Sequence, residues 1–154
     1  MEFPISLLAA LPVSPISYRI GDDTRPVGDG PKILVHVCND IGAWGRGFVV
    51  AVSRRWPEPE QHYRRWHRHR DSMPFKVGQV QFVPVSDGIV VANLIGQHGL
   101  RSRDSAAPVC YDGIRTGLNR VAVQALANRA SVHMPRIGCG LAGGRWSEIE
   151  LIVL

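Results

Sequence analysis

At 154 residues, with 45% hydrophobic and 20% charged side chains, the chain has the size and composition of one soluble globular domain. No apolar run is long enough to span a bilayer. Three widely separated cysteines, Cys38, Cys110 and Cys139, offer neither a CxxC pair nor a Cys/His metal spacing, which excludes a disulfide framework and a zinc site.

Free thiols suit a reducing cytoplasm, and the formal charge of +5 suits an anionic partner such as a nucleotide or a nucleic acid. No metal and no cofactor is called for. Residues 1–15, MEFPISLLAALPVSP, lack a positive start, carry Glu2 and are interrupted by Pro4 and Pro12. They read as an N-terminal extension rather than a signal peptide, ahead of one domain over 16–154.

Residues 16–20, ISYRI, alternate as a strand does and end at Gly21-Asp22. The continuous apolar run 32–37, KILVHV, predicts a strand buried on both faces of a sheet. Residues 47–55, GFVVAVSRR, follow a glycine loop and predict a helix on that sheet. A second helix is expected over 58–70, acidic at its start and basic at its end, with Tyr63 and Trp66 on one buried stripe. Residues 79–85 and 88–96 predict neighbouring strands joined by a turn at Ser86-Asp87-Gly88. Over 107–128, Tyr111, Ile114, Leu118, Val121, Ala122, Ala125 and Leu126 recur at helical spacing. Asp104 or Ser105 is placed to cap that helix, and Pro108 to sit in its first turn. A strand over 131–137 and a terminal helix from Trp146 complete the alternation, which predicts a layered α/β domain with its ligand at the carboxyl ends of the strands.

Two glycine-rich loops follow the strands at 32–37 and 131–137. One is HVCNDIGAWGRG (36–47); the other, MPRIGCGLAGGRW (134–146), holds Gly138, Gly140, Gly143 and Gly144. Glycines at this density let backbone N–H groups turn toward phosphate oxygens, although a tight turn without a ligand has the same composition. There is no GxxxxGK[ST], and GAWGRG only loosely matches GxGxxG, which disfavours a nucleoside triphosphatase and a Rossmann dehydrogenase.

Gly21-Asp22, HVCND with Asn39, GAWGRG and MPRIGCGLAGG-W, in that order, resemble a macrodomain from about Ile16 to Leu154. Within that family the chain resembles the branch containing the terminal ADP-ribose protein glycohydrolases and the yeast-type ADP-ribose 1″-phosphate phosphatases. The resemblance implies a three-layer α/β/α fold with a central mixed sheet that binds ADP-ribose. Asp22 would accept a hydrogen bond from the adenine amine, a role suited to a buried carboxylate; its bland alternative is a turn aspartate. Asn39 would bond the distal ribose, or serve only as a turn residue at a strand end. Gly45, Arg46 and Gly47 would form one diphosphate loop, and Gly138, Cys139, Gly140, Leu141 and Ala142 the other. Cys139 reads as a packing residue without a partner base, and His36 as a satisfied core histidine.

The glycohydrolases of that branch use a lysine and an aspartate where this chain has Gln97 and Ala142. A glutamine amide is not nucleophilic, so attack by a lysine amine on the sugar is excluded. What remains is water, with Gln97 orienting it, Asn39 holding the ribose and Asp40 as base; Gln97 and His98 read equally as an ordinary polar strand end. The expectation is a macrodomain that hydrolyses mono-ADP-ribose from acidic side chains. Its alternatives are an ADP-ribose 1″-phosphate phosphatase and a non-catalytic reader of ADP-ribosylated proteins. The basic run RRWHRHRD (64–71) reads as a solvated helix face, with a nucleic-acid footprint as its sharper alternative. Family members continue past the tryptophan with a full helix and a last strand. Stopping at Leu154 is expected to truncate both and to expose sheet backbone.

Overall fold

The computed structural model describes residues 16–101 and 106–154. In chain order they form β1 (Lys32–Asn39), α1 (Phe48–Arg55), α2 (Glu58–Arg68), β2 (Val80–Ser86), β3 (Ile89–Gln97), α3 (Tyr111–Asn128), β4 (Ser131–His133) and α4 (Trp146–Val153). The sheet order is β2-β3-β1-β4. β1 runs parallel to β3 and β4, while β2 and β3 form an antiparallel hairpin, so the sheet is mixed.

Strand periodicity divides the core into two layers. From β1, Ile33 and Val35 face one side, where Ala92 and Leu94 of β3 meet Ile114, Val121 and Ala125 of α3 and Ile149 of α4. Leu34 and Cys38 face the other, where Val91 and Ile95 meet Val52 of α1, Tyr63 and Trp66 of α2, and Trp44 and Trp56. Helices thus cover both faces of an apolar strand pair, and each fully buried aliphatic side chain contributes about 1.5–3 kcal/mol. Tyr63 and Trp66, three residues apart, form the buried stripe expected of α2.

Four expectations from sequence need correction. Residues 16–20 are not a strand. Tyr18 instead packs edge-on against Trp146, takes a hydrogen bond from its indole at 3.1 Å and donates to Glu150. Alternation makes a segment fit to be a strand, but only a partner edge makes it one. The strand expected over 131–137 pairs only through Ser131–His133; Pro135 has no N–H to carry the ladder further. α3 begins at Tyr111, so Pro108 lies outside its first turn. Residues 108–110 are extended there: Val109 bridges Gln97, and Cys110 donates to Gly96. Finally, Ala122 and Leu126 face solvent rather than the core. The suggested caps Asp104 and Ser105 lie outside the described residues.

α3 packs closely because two glycines one turn apart face its neighbours, Leu94 of β3 and Val77 in the loop before β2. A Cβ on Gly117 would fall 2.5 Å from Leu94 Cγ, and one on Gly113 would fall 2.0 Å from Val77 Cγ1.

Candidate functional site

β1 and β3 end together, with Asn39 paired to Gln97. Both are buried, at 7% and 8% exposure. Asn39 organises the turn that follows it. Its Oδ1 accepts from the backbone N–H of Ile41 and Ala43, each at 3.0 Å, and its Nδ2 donates to the Ala43 carbonyl at 2.7 Å. The Tyr63 hydroxyl, rising from α2, sits 2.9 Å from the same Oδ1 and 2.8 Å from the Asn39 carbonyl. Asn39 thus organises its own turn, and one Nδ2 hydrogen remains uncommitted by these bonds.

The chain after Asn39 reaches α1 through Gly45, Arg46 and Gly47, all exposed. Gly47 has φ +80°, a conformation that favours glycine. No side chain caps α1 and no acid occupies its first turn, so the partial positive charge of its N-terminus is uncompensated. Arg64 of α2 braces this loop by donating to the Trp44 carbonyl at 2.9 Å.

The second loop turns back tightly on itself. Gly144 N–H donates to the Gly138 carbonyl at 2.7 Å and Gly143 N–H to Gly140 at 3.0 Å. Gly138 and Gly143 have positive φ, and a Cβ on Gly144 would fall 2.5 Å from the Gly138 oxygen. Among the described residues the N–H groups of Gly140, Leu141 and Ala142 meet no acceptor, nor do those of Gly45, Arg46 and Gly47.

The two loops converge. A Cβ on Gly47 would touch Leu141 Cδ1 at 3.4 Å. Ala142 accepts from Val109 N–H at 3.0 Å, and Val109 bridges Gln97, which pairs with Asn39. Asn39, Gln97, Ala142 and both glycine loops thus share one end of the sheet.

Gln97 donates from Nε2 to the Gly99 carbonyl at 2.9 Å. Asp40, next to Asn39, spans the same strand ends: Oδ1 accepts from Gly99 N–H at 2.7 Å, and Oδ2 lies 2.9 Å from His98 Nδ1. Asp22 departs from expectation, for its side chain is half exposed rather than buried. Its carboxyl is held below its usual range by the Thr24 hydroxyl at 2.7 Å and Thr24 N–H at 2.9 Å, helped by Arg25. This is an aspartate turn with one oxygen, Oδ2, only loosely engaged.

Cys139 is half-buried, and burial raises its thiol pKa, as a packing residue requires rather than a nucleophile. His36 is fully enclosed, bonded through Nε2 to Asn93 Oδ1 at 2.6 Å; burial lowers its pKa to about 4, so it stays neutral. The basic run lies on α2 and the turn after it, with Arg64, Arg65, Arg68, His69 and Arg70 exposed and Trp66 buried. Three partnerships escaped the sequence reading: Tyr63 on Asn39, Arg64 on Trp44, and Asp40 with His98. Each crosses between elements, and spacing along the chain carries no signal for it. Among the described residues, no cluster of three histidines, cysteines or acids could hold a metal ion.

No protein-family model matches the chain. Among curated proteins it is 33% identical over 150 residues to the chromodomain-helicase-DNA-binding protein 1-like of Danio rerio. That similarity takes in 90% of this chain but only 14% of the relative, so the chain spans about one-seventh of that protein's length. It is 24% identical over 144 residues to the ADP-ribose 1″-phosphate phosphatase of Candida albicans, taking in 88% of this chain and 89% of the relative. Among solved structures, a macrodomain protein from Streptomyces coelicolor is 54% identical with a TM-score of 0.77, covering 86% of this chain and 84% of that one. The macrodomain of Mycobacterium tuberculosis DarG is 25% identical with a TM-score of 0.72, covering 89% and 86%.

Proposed function

This chain belongs to the macrodomain family, and from that premise we propose that it binds ADP-ribose between its two glycine loops and hydrolyses mono-ADP-ribose from acidic side chains of proteins with water as the nucleophile. The observation that carries the reading is the approach of Leu141 to Gly47, close enough that a Cβ added to Gly47 would lie 3.4 Å from Leu141 Cδ1. It brings together two loops whose backbone N–H groups at 45–47 and 140–142 have no acceptor among the described residues, beside an uncapped helix N-terminus, an arrangement suited to a diphosphate. Asp22, ionised and with Oδ2 loosely held, accepts from the adenine amine, and the uncommitted Nδ2 hydrogen of Asn39 donates to the distal ribose.

Gln97 stands where a lysine would be needed for covalent attack on the sugar, which leaves water to cleave the ester. Its Nε2 is fixed by Gly99, and its Oε1, without a partner among the described residues, can accept from that water or from a ribose hydroxyl. The Asp40–His98 pair beside it supplies a carboxylate and an imidazole to act as base. The products are ADP-ribose and the freed carboxylate.

The test is incubation with a glutamate-linked mono-ADP-ribosylated protein. Release of ADP-ribose, reduced about tenfold or more by Gln97→Ala, is the expected result. Release unaffected by both Gln97→Ala and Asn39→Ala contradicts the site assignment. Binding without release supports a reader, the alternative favoured by how fully Asn39 is committed to its own turn. Phosphate release from ADP-ribose 1″-phosphate supports a phosphatase, the activity named for the Candida albicans relative.

A further inference from the structure

Asp40 and His98 each stand one residue beyond the Asn39–Gln97 pair, so carboxylate and imidazole meet across adjacent strand ends. Asp40 is fixed twice. Gly99 N–H holds Oδ1 at 2.7 Å, and His98 Nδ1 lies 2.9 Å from Oδ2. With both oxygens engaged and its side chain only 25% exposed, Asp40 is poorly placed to meet a water itself. The opposite holds for His98. Its side chain is 66% exposed, and among the described residues Nε2 has no partner. A carboxylate at Nδ1 fixes the proton there, leaving the Nε2 lone pair directed outward as a base. The His98 backbone N–H donates to the Pro108 carbonyl at 2.9 Å, which holds the residue in register.

We infer that His98 is the general acid–base of this site and Asp40 its positioning residue. The inference rests on the hydrolase reading above and reassigns within it the base expected at Asp40. His98 Nε2 takes a proton from water as the water oxygen bonds to the ester carbonyl carbon. The imidazolium then returns that proton to the departing ribose oxygen as the acyl carbon–oxygen bond breaks. The histidine ends neutral, as it began, and one water is consumed for each ester.

The experiment measures single-turnover release from a glutamate-linked mono-ADP-ribosylated protein across pH, alongside ADP-ribose binding by calorimetry, for wild type, His98→Gln and Asp40→Asn. His98→Gln is expected to slow release about 100-fold while leaving the dissociation constant for ADP-ribose unchanged, and to abolish the acid limb of the pH–rate profile. Asp40→Asn is expected to lower the rate and displace that limb, a change that loss of packing would not produce. Wild-type turnover with an unchanged rate and profile in His98→Gln overturns the dyad and spares the hydrolase reading. Binding with no wild-type turnover overturns both. A nitrogen-15 spectrum of the neutral His98 ring gives a readout independent of turnover: an Nδ1–H tautomer supports the inference, and an Nε2–H tautomer overturns it.

Discussion

His36 shows how one residue's environment sets a property of the whole domain. It lies at the middle of β1, where its ring meets Trp44 edge-on and its Nε2 bonds Asn93, which in turn donates to Pro59 and Gln81. Protonation would place a charge in that enclosure, so burial lowers the pKa from 6.5 to about 4. Between those values the unfolded chain takes up a proton that the folded chain refuses. The stability associated with neutral His36 is therefore complete above pH 6.5 and is lost as pH falls toward 4, by about 3 kcal/mol in all. Urea unfolding across this range should show a steeper acid decline for wild type than for His36→Gln; equal slopes would contradict the assignment. The neutral core histidine was legible in the sequence from its place inside an apolar run. Its partner Asn93 was not, because a polar residue inside the apolar run of β3 declares its purpose only once β1 lies in register beside it.

At the scale of elements, the glycines separate structural from ligand-facing roles. Gly117 lies inside α3, where alanine would gain about 1 kcal/mol in helix propensity. The Cβ would also sit 2.5 Å from Leu94 Cγ, and overpacking of a core costs about 1–3 kcal/mol. Gly117→Ala is thus expected to destabilise, read as a lower chemical-denaturation midpoint; a gain would mean that α3 stands further from the sheet. In the second loop, Gly144→Ala would meet the Gly138 carbonyl at 2.5 Å and should cost about 2 kcal/mol or more in stability, whereas Gly140 has open space around it. Gly140→Ala is expected to leave stability within about 0.5 kcal/mol and to weaken ADP-ribose binding about tenfold, because in the proposed clamp the new methyl group would occupy space assigned to a phosphate. Unchanged binding would remove Gly140 from the site. Such periodic or glycine-dense elements were readable in advance. Among the failures, those at 16–20, 131–137 and the start of α3 lie where the outcome depends on which edge or helix a segment meets: Tyr18 found Trp146 instead of a strand, and Val109 found Gln97 and Ala142 instead of a helical turn.

For the whole molecule, a mixed sheet covered on both faces brings two loops, about 90 residues apart in the chain, to one end of β1 and β3. The glycine loops and Asn39 announced this meeting because motif order survives in sequence. The pairing of Asp40 with His98, on which the inferred dyad rests, was not announced, since it joins positions 58 residues apart. The central claim is that the converging loops form a diphosphate clamp, and calorimetric titration of the full chain with ADP-ribose tests it most directly. One-to-one binding is expected, with a dissociation constant below about 1 mM, weakened by Gly140→Ala and competed by ADP. No heat of binding at sub-millimolar ADP-ribose from a folded sample would contradict it.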